Sequence, residues 1–501
     1  MVSPFPPVDA GRLSAQRPFY YRNSGRKQRF AKNASPLTTP TNTGTGPWVL
    51  PECQHSLLYN PPTPERPSRP GEHMDRHADP GHRVLGLAAS LLFLLAGSSA
   101  GFAQTTPDPT IHTTTDAAEA DGDLPKSSFV KFNEYDWKRF SLRWGGGFLW
   151  DYSAYAQDDD SKEQLDLSPR SDLRDFRLIL KGKLFWPERL SYTLGYMYDK
   201  AQKDWRFRQT GIMIKIPEMY GEIFVGRTKE GFSTSKMMVG YQGWTMERAA
   251  INDAFLPILA DGIKWMGYTP GGKFVYRLGF FKDTRTQTES FNKNDNQWVA
   301  RGVWLPFMGT DKGVLHLALQ YRHGKSNDGF LQYRSKPESF EAQEYAIDTG
   351  KFEADHSDMY GVETYYRPGP LMFGMEYIVN QVSAPDSGDP LFHGGEAFAA
   401  WIVTGETRPY NARGSYFERI SPARSVFDGG PGAWELVLRY SYADLDDGPI
   451  EGGTFWRLTP VANWHMSDNV RLEFVYGYGV LDRFDLTGAT QFFQARLQLQ
   501  L

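Results

Sequence analysis

The 501-residue chain has a single cysteine, Cys53, ten histidines and only one stretch apolar enough to interest a bilayer. One thiol supports neither a disulfide framework nor a cysteine-based metal or redox site. Histidine is too sparse for a metal centre: after residue 103 only His112, His316, His323, His356, His393 and His465 remain, none of them in an HExxH pattern. No glycine-rich phosphate loop ends in GK[ST] after a strand, so neither a metal nor a cofactor is expected. With 40% hydrophobic residues and a mean hydropathy of −0.51, a bundle of transmembrane helices is excluded. Lys and Arg number 55 against 59 Asp and Glu; this balance denies the chain the overall basic surface of a non-specific nucleic-acid binder, and no nucleic-acid partner is expected.

The N-terminal quarter reads as leader rather than fold. Residues 1–73 are rich in Pro, Ser, Thr, Asn and Arg without a sustained period, a composition that buries too little apolar area to offset chain entropy. A disordered extension is expected there, upstream of a start at Met74. From Met74 the text changes to Arg76 and Arg83, an apolar run Val84–Gly97, and small residues ending at Ala103. That is the build of a secretory signal peptide over 74–103, its apolar core of about 14 residues falling short of the roughly 20 that a spanning helix needs. Removing residues 1–103 takes away 11 Lys and Arg and 6 Asp and Glu, leaving 44 against 53 and a net charge of −9. Residues 104–137 form a short acidic tether, too short for a plug domain.

From 138 to 501 the dominant period is two, the pattern of strands with one apolar and one polar face. Leu190, Tyr192, Leu194, Tyr196 and Tyr198 oppose Ser191, Thr193 and Asp199; Phe493, Ala495, Leu497 and Leu499 oppose Gln494, Arg496 and Gln498. About sixteen such segments follow one another, separated by turns such as TPGGK and RPGP or by polar loops such as 335–356, 383–395 and 406–431. Many run ten or more residues, and Tyr, Trp and Phe gather toward their ends. A spanning strand needs about 9–11 residues, and only closure into a barrel leaves no edge unpaired in lipid. The expected fold class is therefore all-β: a 16-stranded antiparallel transmembrane β-barrel of a bacterial outer membrane, apolar side out. A barrel of that size is too wide to be filled by its own wall, so its interior holds water or a folded loop. An outer-membrane enzyme would need a nucleophile and base near one rim, such as Ser441 or Ser357 with His465 or His356, but no third group completes either set. The chain is expected not to be an enzyme.

Several stretches occur in the order of one family. The run from Gly221 through Gly226, Arg227, Lys229, Glu230 and Phe232, followed by Thr245 to Ala249, resembles the strand-and-loop signature of the phosphate-selective porins O and P. Phe176-Arg177-Leu178 with Lys181-Gly182-Lys183, Trp401 to Tyr410, Gly432 to Leu436 with Arg439, and Asn463-Trp464 resemble the same family. The resemblance implies an outer-membrane porin embedded in lipid, usually a homotrimer, with loop 3 folded into the lumen and a ladder of Arg and Lys that passes small anions such as phosphate or polyphosphate. The alternative is a general, weakly selective porin for small polar solutes. Two departures bear on phosphate: the family's Gly-Gly-Arg is Gly145-Gly146-Gly147 here, and a family Arg-Arg pair falls on Arg174-Asp175.

Anion selection needs cations and N–H donors held where they replace part of an ion's hydration shell. Arginine offers a planar two-donor fork, lysine a point charge. Parity or the resemblance turns Arg143, Arg174, Arg177, Lys181, Lys183, Arg277, Arg301, Arg322, Arg439 and Arg496 inward. At an effective dielectric near 20 and about 4 Å, one such contact is worth roughly 4 kcal/mol before desolvation. Their other role is to pair with acids such as Asp151, Asp175, Glu376 and Glu435 and merely shape the wall. Loop 3, about 229–260, adds Lys229, Glu230 and Arg248, with Glu230 at the place of a family aspartate; its piece TMERAAINDAF has helical spacing.

Overall fold

The computed structural model describes residues 133–137, 139–184, 189–199, 204–282, 294–309 and 313–501. The expected extension, the expected signal peptide and most of the tether lie outside them. Sixteen long strands form one closed sheet: β1 (Phe140–Gln157), β2 (Arg170–Leu184), β3 (Leu190–Asp199), β4 (Asp204–Ile216), β5 (Gly221–Thr228), β6 (Ala260–Tyr268), β7 (Phe274–Lys282) and β8 (Asn294–Trp304). There follow β9 (Gly313–Ser326), β10 (His356–Arg367), β11 (Leu371–Ser383), β12 (Leu391–Ile402), β13 (Ala433–Asp447), β14 (Ile450–His465), β15 (Val470–Arg483) and β16 (Leu486–Gln500). Each pairs antiparallel with its neighbours in sequence, and β1 closes the barrel on β16 from Gly147↔Gln500 to Gln157↔Thr490. The alternation predicted this count because in lipid an unpaired edge leaves N–H and C=O groups without partners.

The two faces invert the usual order of burial. Leu178, Ile212, Leu278, Leu319, Leu438 and Phe493 are exposed, while Arg301, Glu363, Glu376, Arg439, Arg457 and Arg496 are buried. An apolar outer band around a polar interior is the packing of a barrel whose solvent is lipid. Aromatic rings ladder across the band, as in Trp434 on Trp464 (5.1 Å) and Phe274 on Trp304 (6.1 Å). Leu319, 70% exposed, lies mid-strand opposite Gly302 and Val362. Leu319→Arg is therefore expected to cost about 2–4 kcal/mol of folding stability in lipid, read by urea unfolding in vesicles; an unchanged midpoint would mean that this face does not meet lipid.

Three connections do not behave as polar surface loops. Residues 229–259, 327–355 and 403–432 carry buried apolar side chains, among them Trp244, Ile251, Phe255, Tyr333, Ile347 and Phe417. Trp244 stacks on Phe398 of β12 at 4.3 Å, Phe255 meets Tyr333 edge-on at 5.4 Å, and Tyr410 meets Phe417 at 4.8 Å. The separators 335–356 and 406–431 thus contribute to the packed interior. The helical spacing of 245–255 is realised only as the helix Ala250–Phe255. Upstream of it, the carbonyls of Met246 and Glu247 accept from Arg496 (2.6 Å) and Arg439 (2.8 Å), which takes them out of any helical ladder. Glu338 then accepts from the Ala250 N–H at 3.0 Å, satisfying a donor that the helix start leaves open.

Candidate functional site

The inward basic residues separate into two sets by what they touch. On β8, β9 and β16 and in the 403–432 connection, guanidiniums are locked to carboxylates: Arg301 to Glu363 (2.7 Å), Arg322 to Glu230 (2.9 Å), Arg408 to Glu435 (2.7 and 2.8 Å) and Arg496 to Asp151 (2.6 Å on both oxygens). Arg439 bridges Glu338 and Glu396 and also donates to Thr245 Oγ1 at 2.9 Å. Arg277 meets no carboxylate among the described residues but donates to Ser415 Oγ at 2.8 Å and to the Gly414 carbonyl. These residues are buried; of the sequence candidates, Arg277, Arg322, Arg439 and Glu230 belong here, and Arg322 and Glu230 turn out to pair with each other. Breaking such a pair costs about 3–5 kcal/mol because it strands a buried charge. Their geometry fits holding 229–259 and 403–432 against the wall.

The second set converges from β2, β4 and the 229–259 segment. A bulge places it: Leu149 pairs with Asp175 but Trp150 pairs with Leu173, so Arg174 is the extra residue of β2. A bulge re-aims the side chain it inserts, and here Arg174, Asp175 and Arg177 all reach inward contacts, which strict alternation forbids. Arg174 grips Glu247 with Nε and Nη2 at 3.1 and 3.3 Å, and its guanidinium lies 3.7 Å over the Phe340 ring. Arg177 pairs with Asp175 and stacks over Tyr241 at 4.7 Å. Tyr241 stands where the resemblance led one to expect an arginine: a Cβ on Gly147 would come within 2.1 Å of its hydroxyl, so only glycine admits the ring.

Lys229 and Arg248 spend their donors on backbone carbonyls. Lys229 Nζ binds the Met237 carbonyl at 3.0 Å and also that of Met238; Arg248 binds Ser235 O at 2.8 Å and Met238 O at 2.9 Å. Among the described residues their charges therefore meet no carboxylate directly. Burial pushes the Lys229 ammonium well below the usual lysine range, and the like charges of Arg248, Arg177, Arg208 and Lys236 push it further. Among the described residues Asp175, Glu247 and Asp253 are the acids in contact with this group, gripped by Arg177, Arg174 and Lys236. Lys181 and Lys183 lie exposed on β2, and Arg143 is exposed beside Glu134 at 3.0 Å.

Glu247 is the hinge between the two sets. Burial alone would raise its carboxyl, but the Arg174 and Arg496 guanidiniums outweigh that and hold it down at about 2. A depressed carboxyl contributes stability above its unfolded range near 4.3 and loses it only as pH falls toward 2, so this anchor persists in mild acid. Arg208 was absent from the sequence candidates. The signal for it existed: in Trp205-Arg206-Phe207-Arg208 the aromatic residues alternate with the basic ones, and Phe207 is exposed to the outside.

Similarity searches add a family. The model of the phosphate-selective porins O and P matches residues 142–501. An uncharacterized protein of Caulobacter vibrioides is 29% identical over 247 residues, 48% of this chain and 49% of that protein. Porin O of Pseudomonas aeruginosa is 24% identical over 210 residues, 36% of this chain and 47% of that protein. The chain thus spans about half the length of the curated relatives it matches. Among solved structures, the anion-selective porin from Comamonas acidovorans aligns with a TM-score of 0.47 at 12% identity, over 72% of this chain and 100% of that one. With the family signature running from β1 to the last strand, the chain belongs to the phosphate-selective porin O and P family.

Proposed function

We propose that the chain is an outer-membrane porin that lets small anions, phosphate or polyphosphate first among them, diffuse passively past a basic constriction. The observation that carries this reading is the convergence of Arg177, Arg208 and Arg248 on Lys229, with Arg177 stacked over Tyr241. In this reading the 229–259 segment narrows the lumen, the exposed Lys181, Lys183 and Arg143 extend the basic wall, and the apolar outer band meets outer-membrane lipid in a homotrimer. Anions gain by exchanging water for fixed cations and N–H groups, and they pass because no single contact is tight enough to trap them.

A general porin for small polar solutes is the second reading. It is favoured by the two departures at the site, Tyr241 occupying the space beside Gly147 and Asp175 standing next to Arg174. Reversal potentials in a KCl gradient across planar bilayers separate the two. Chloride preference with phosphate blocking chloride current supports the phosphate reading, chloride preference without block supports the general one, and cation preference overturns both.

The pH dependence has a definite sign. In the 327–355 connection, Lys336 is lowered to about 8 by burial and then by the nearby Arg174. It is charged below that pH and neutral above it. Anion preference is therefore expected to weaken as pH rises through about 8, and Lys336→Met should flatten that part of the profile.

A further inference from the structure

Nearly every buried carboxylate of the barrel interior meets a guanidinium: Asp151, Asp175, Glu230, Glu363, Glu435 and Glu473 each have one. Glu376 has none among the described residues, although it is only 1% exposed. It stands in the middle of a row, because Glu363 on β10 is directly opposite Glu376 on β11, which is directly opposite Glu396 on β12. Directly opposed residues hold their Cβ atoms about 4.5–5.5 Å apart, so three carboxyl groups lie side by side away from water.

The hydrogen bonds show which of the three lacks a counter-charge. Glu363 is saturated by Arg301, Thr234 and Gln320, all at 2.7 Å. Glu396 accepts from Arg439 on Oε2 at 3.4 Å, and its Oε1 has no partner. Glu376 accepts from Tyr365 Oη on Oε2 at 3.2 Å, and its Oε1 has no partner either. Two neighbouring buried carboxyls each present one bare oxygen. A bare buried acceptor is costly and an unpaired buried charge more so, and two adjacent carboxylates relieve both by sharing a proton.

We infer that Glu376 and Glu396 hold one proton between them at neutral pH, Oε1 to Oε1, forming a proton-binding pair in the wall behind the 229–259 segment. The groups facing the pair are Tyr365 and Glu363 from β10, Arg301 from β8, Arg439 from β13, Glu338 from 327–355, and Ser233 and Arg248 from 229–259. Arg439 gives the site a consequence. It joins Glu396 to Thr245 Oγ1 and to the Glu247 carbonyl, so a second negative charge on the pair draws Arg439 away from the segment it anchors.

Infrared difference spectroscopy on the full chain in detergent tests this directly. A protonated-carboxyl C=O band is expected at neutral pH in the unsubstituted protein, lost in Glu376→Gln, where Glu396 keeps Arg439, and moved in frequency in Glu396→Gln, where Glu376 holds the proton without its partner. Glu376→Gln should keep the heat-resistant folded form at neutral pH and lose less melting temperature than the unsubstituted protein on transfer to alkaline buffer. Absence of the band in the unsubstituted protein overturns the inference, as does its survival in both variants. So does a loss of thermal stability on chelation or on exchange of sodium for choline that Glu376→Gln does not share, since a metal cation would then hold the place of the proton.

Discussion

Replacing Arg177 and Arg208 together by glutamine is expected to lower the chloride-over-potassium permeability ratio by about tenfold. The size follows from charge and distance. At an effective dielectric near 20 and about 8 Å, each guanidinium changes the energy of a passing anion by roughly 2 kcal/mol, and screening over a Debye length of about 8 Å removes a large part of it. A pair that retains about 1.4 kcal/mol accounts for the factor of ten. These two are chosen because both face Lys229 from the barrel wall, while Lys229 and Arg248 also pin the Met237 and Met238 carbonyls and cannot be removed without loosening the segment. Lys162→Gln, on the exposed helix Asp159–Gln164, serves as control. An unchanged ratio in the double variant would move selection to the exposed wall of Arg143, Lys181 and Lys183.

The largest structural effect is expected from Glu435→Ala. Glu435 receives both bonds from Arg408, a third from Asn463 at 2.9 Å, and lies 3.6 Å from His465. Its loss leaves Arg408 buried without a counter-charge, at a cost of about 3–5 kcal/mol. Arg408 also donates to the carbonyls of Gln242 and Glu418 at 2.8 and 3.0 Å, so one substitution loosens both 229–259 and 403–432. Faster proteolysis within 403–432 and a lower temperature for the heat-modified electrophoretic shift are the expected readouts. The double variant Glu435→Leu with Arg408→Met should recover most of the loss, because it removes the stranded charge and refills the volume. If Glu435→Ala resists protease as well as the unsubstituted chain, the pair is not what holds these connections.

The particular residues show why some features could be read from the sequence and others could not. Leu319 between Ala318 and Gln320, or Leu497 between Arg496 and Gln498, declares its face locally, because a strand turns every second side chain the same way. Arg206 and Arg208 declared theirs too, on either side of Phe207. Arg174 did not: it faces inward only because a bulge opposite Leu149 and Trp150 breaks the alternation. The connections 327–355 and 403–432 looked like polar separators because their few apolar residues, Tyr333, Ile347, Phe417 and Ile420, follow no period. They are buried by what they meet.

The same limit governs the charges. An inward arginine is legible from parity, but whether it stands toward water or is neutralised depends on partners 62, 92, 345 or 249 positions away, as for Arg301 with Glu363, Arg322 with Glu230, and Arg496 with Asp151 and Glu247. By itself the chain's text determined a barrel of about sixteen strands with a greasy outside and a wet inside, since period and length are local properties that a lipid solvent turns into a closed sheet. Only the tertiary structure decided which cations meet carboxylates, which gather around Lys229, and which carboxyl meets no guanidinium among the described residues. Those outcomes are set by long-range closure, and Coulomb interactions act between atoms that the order of residues does not place together.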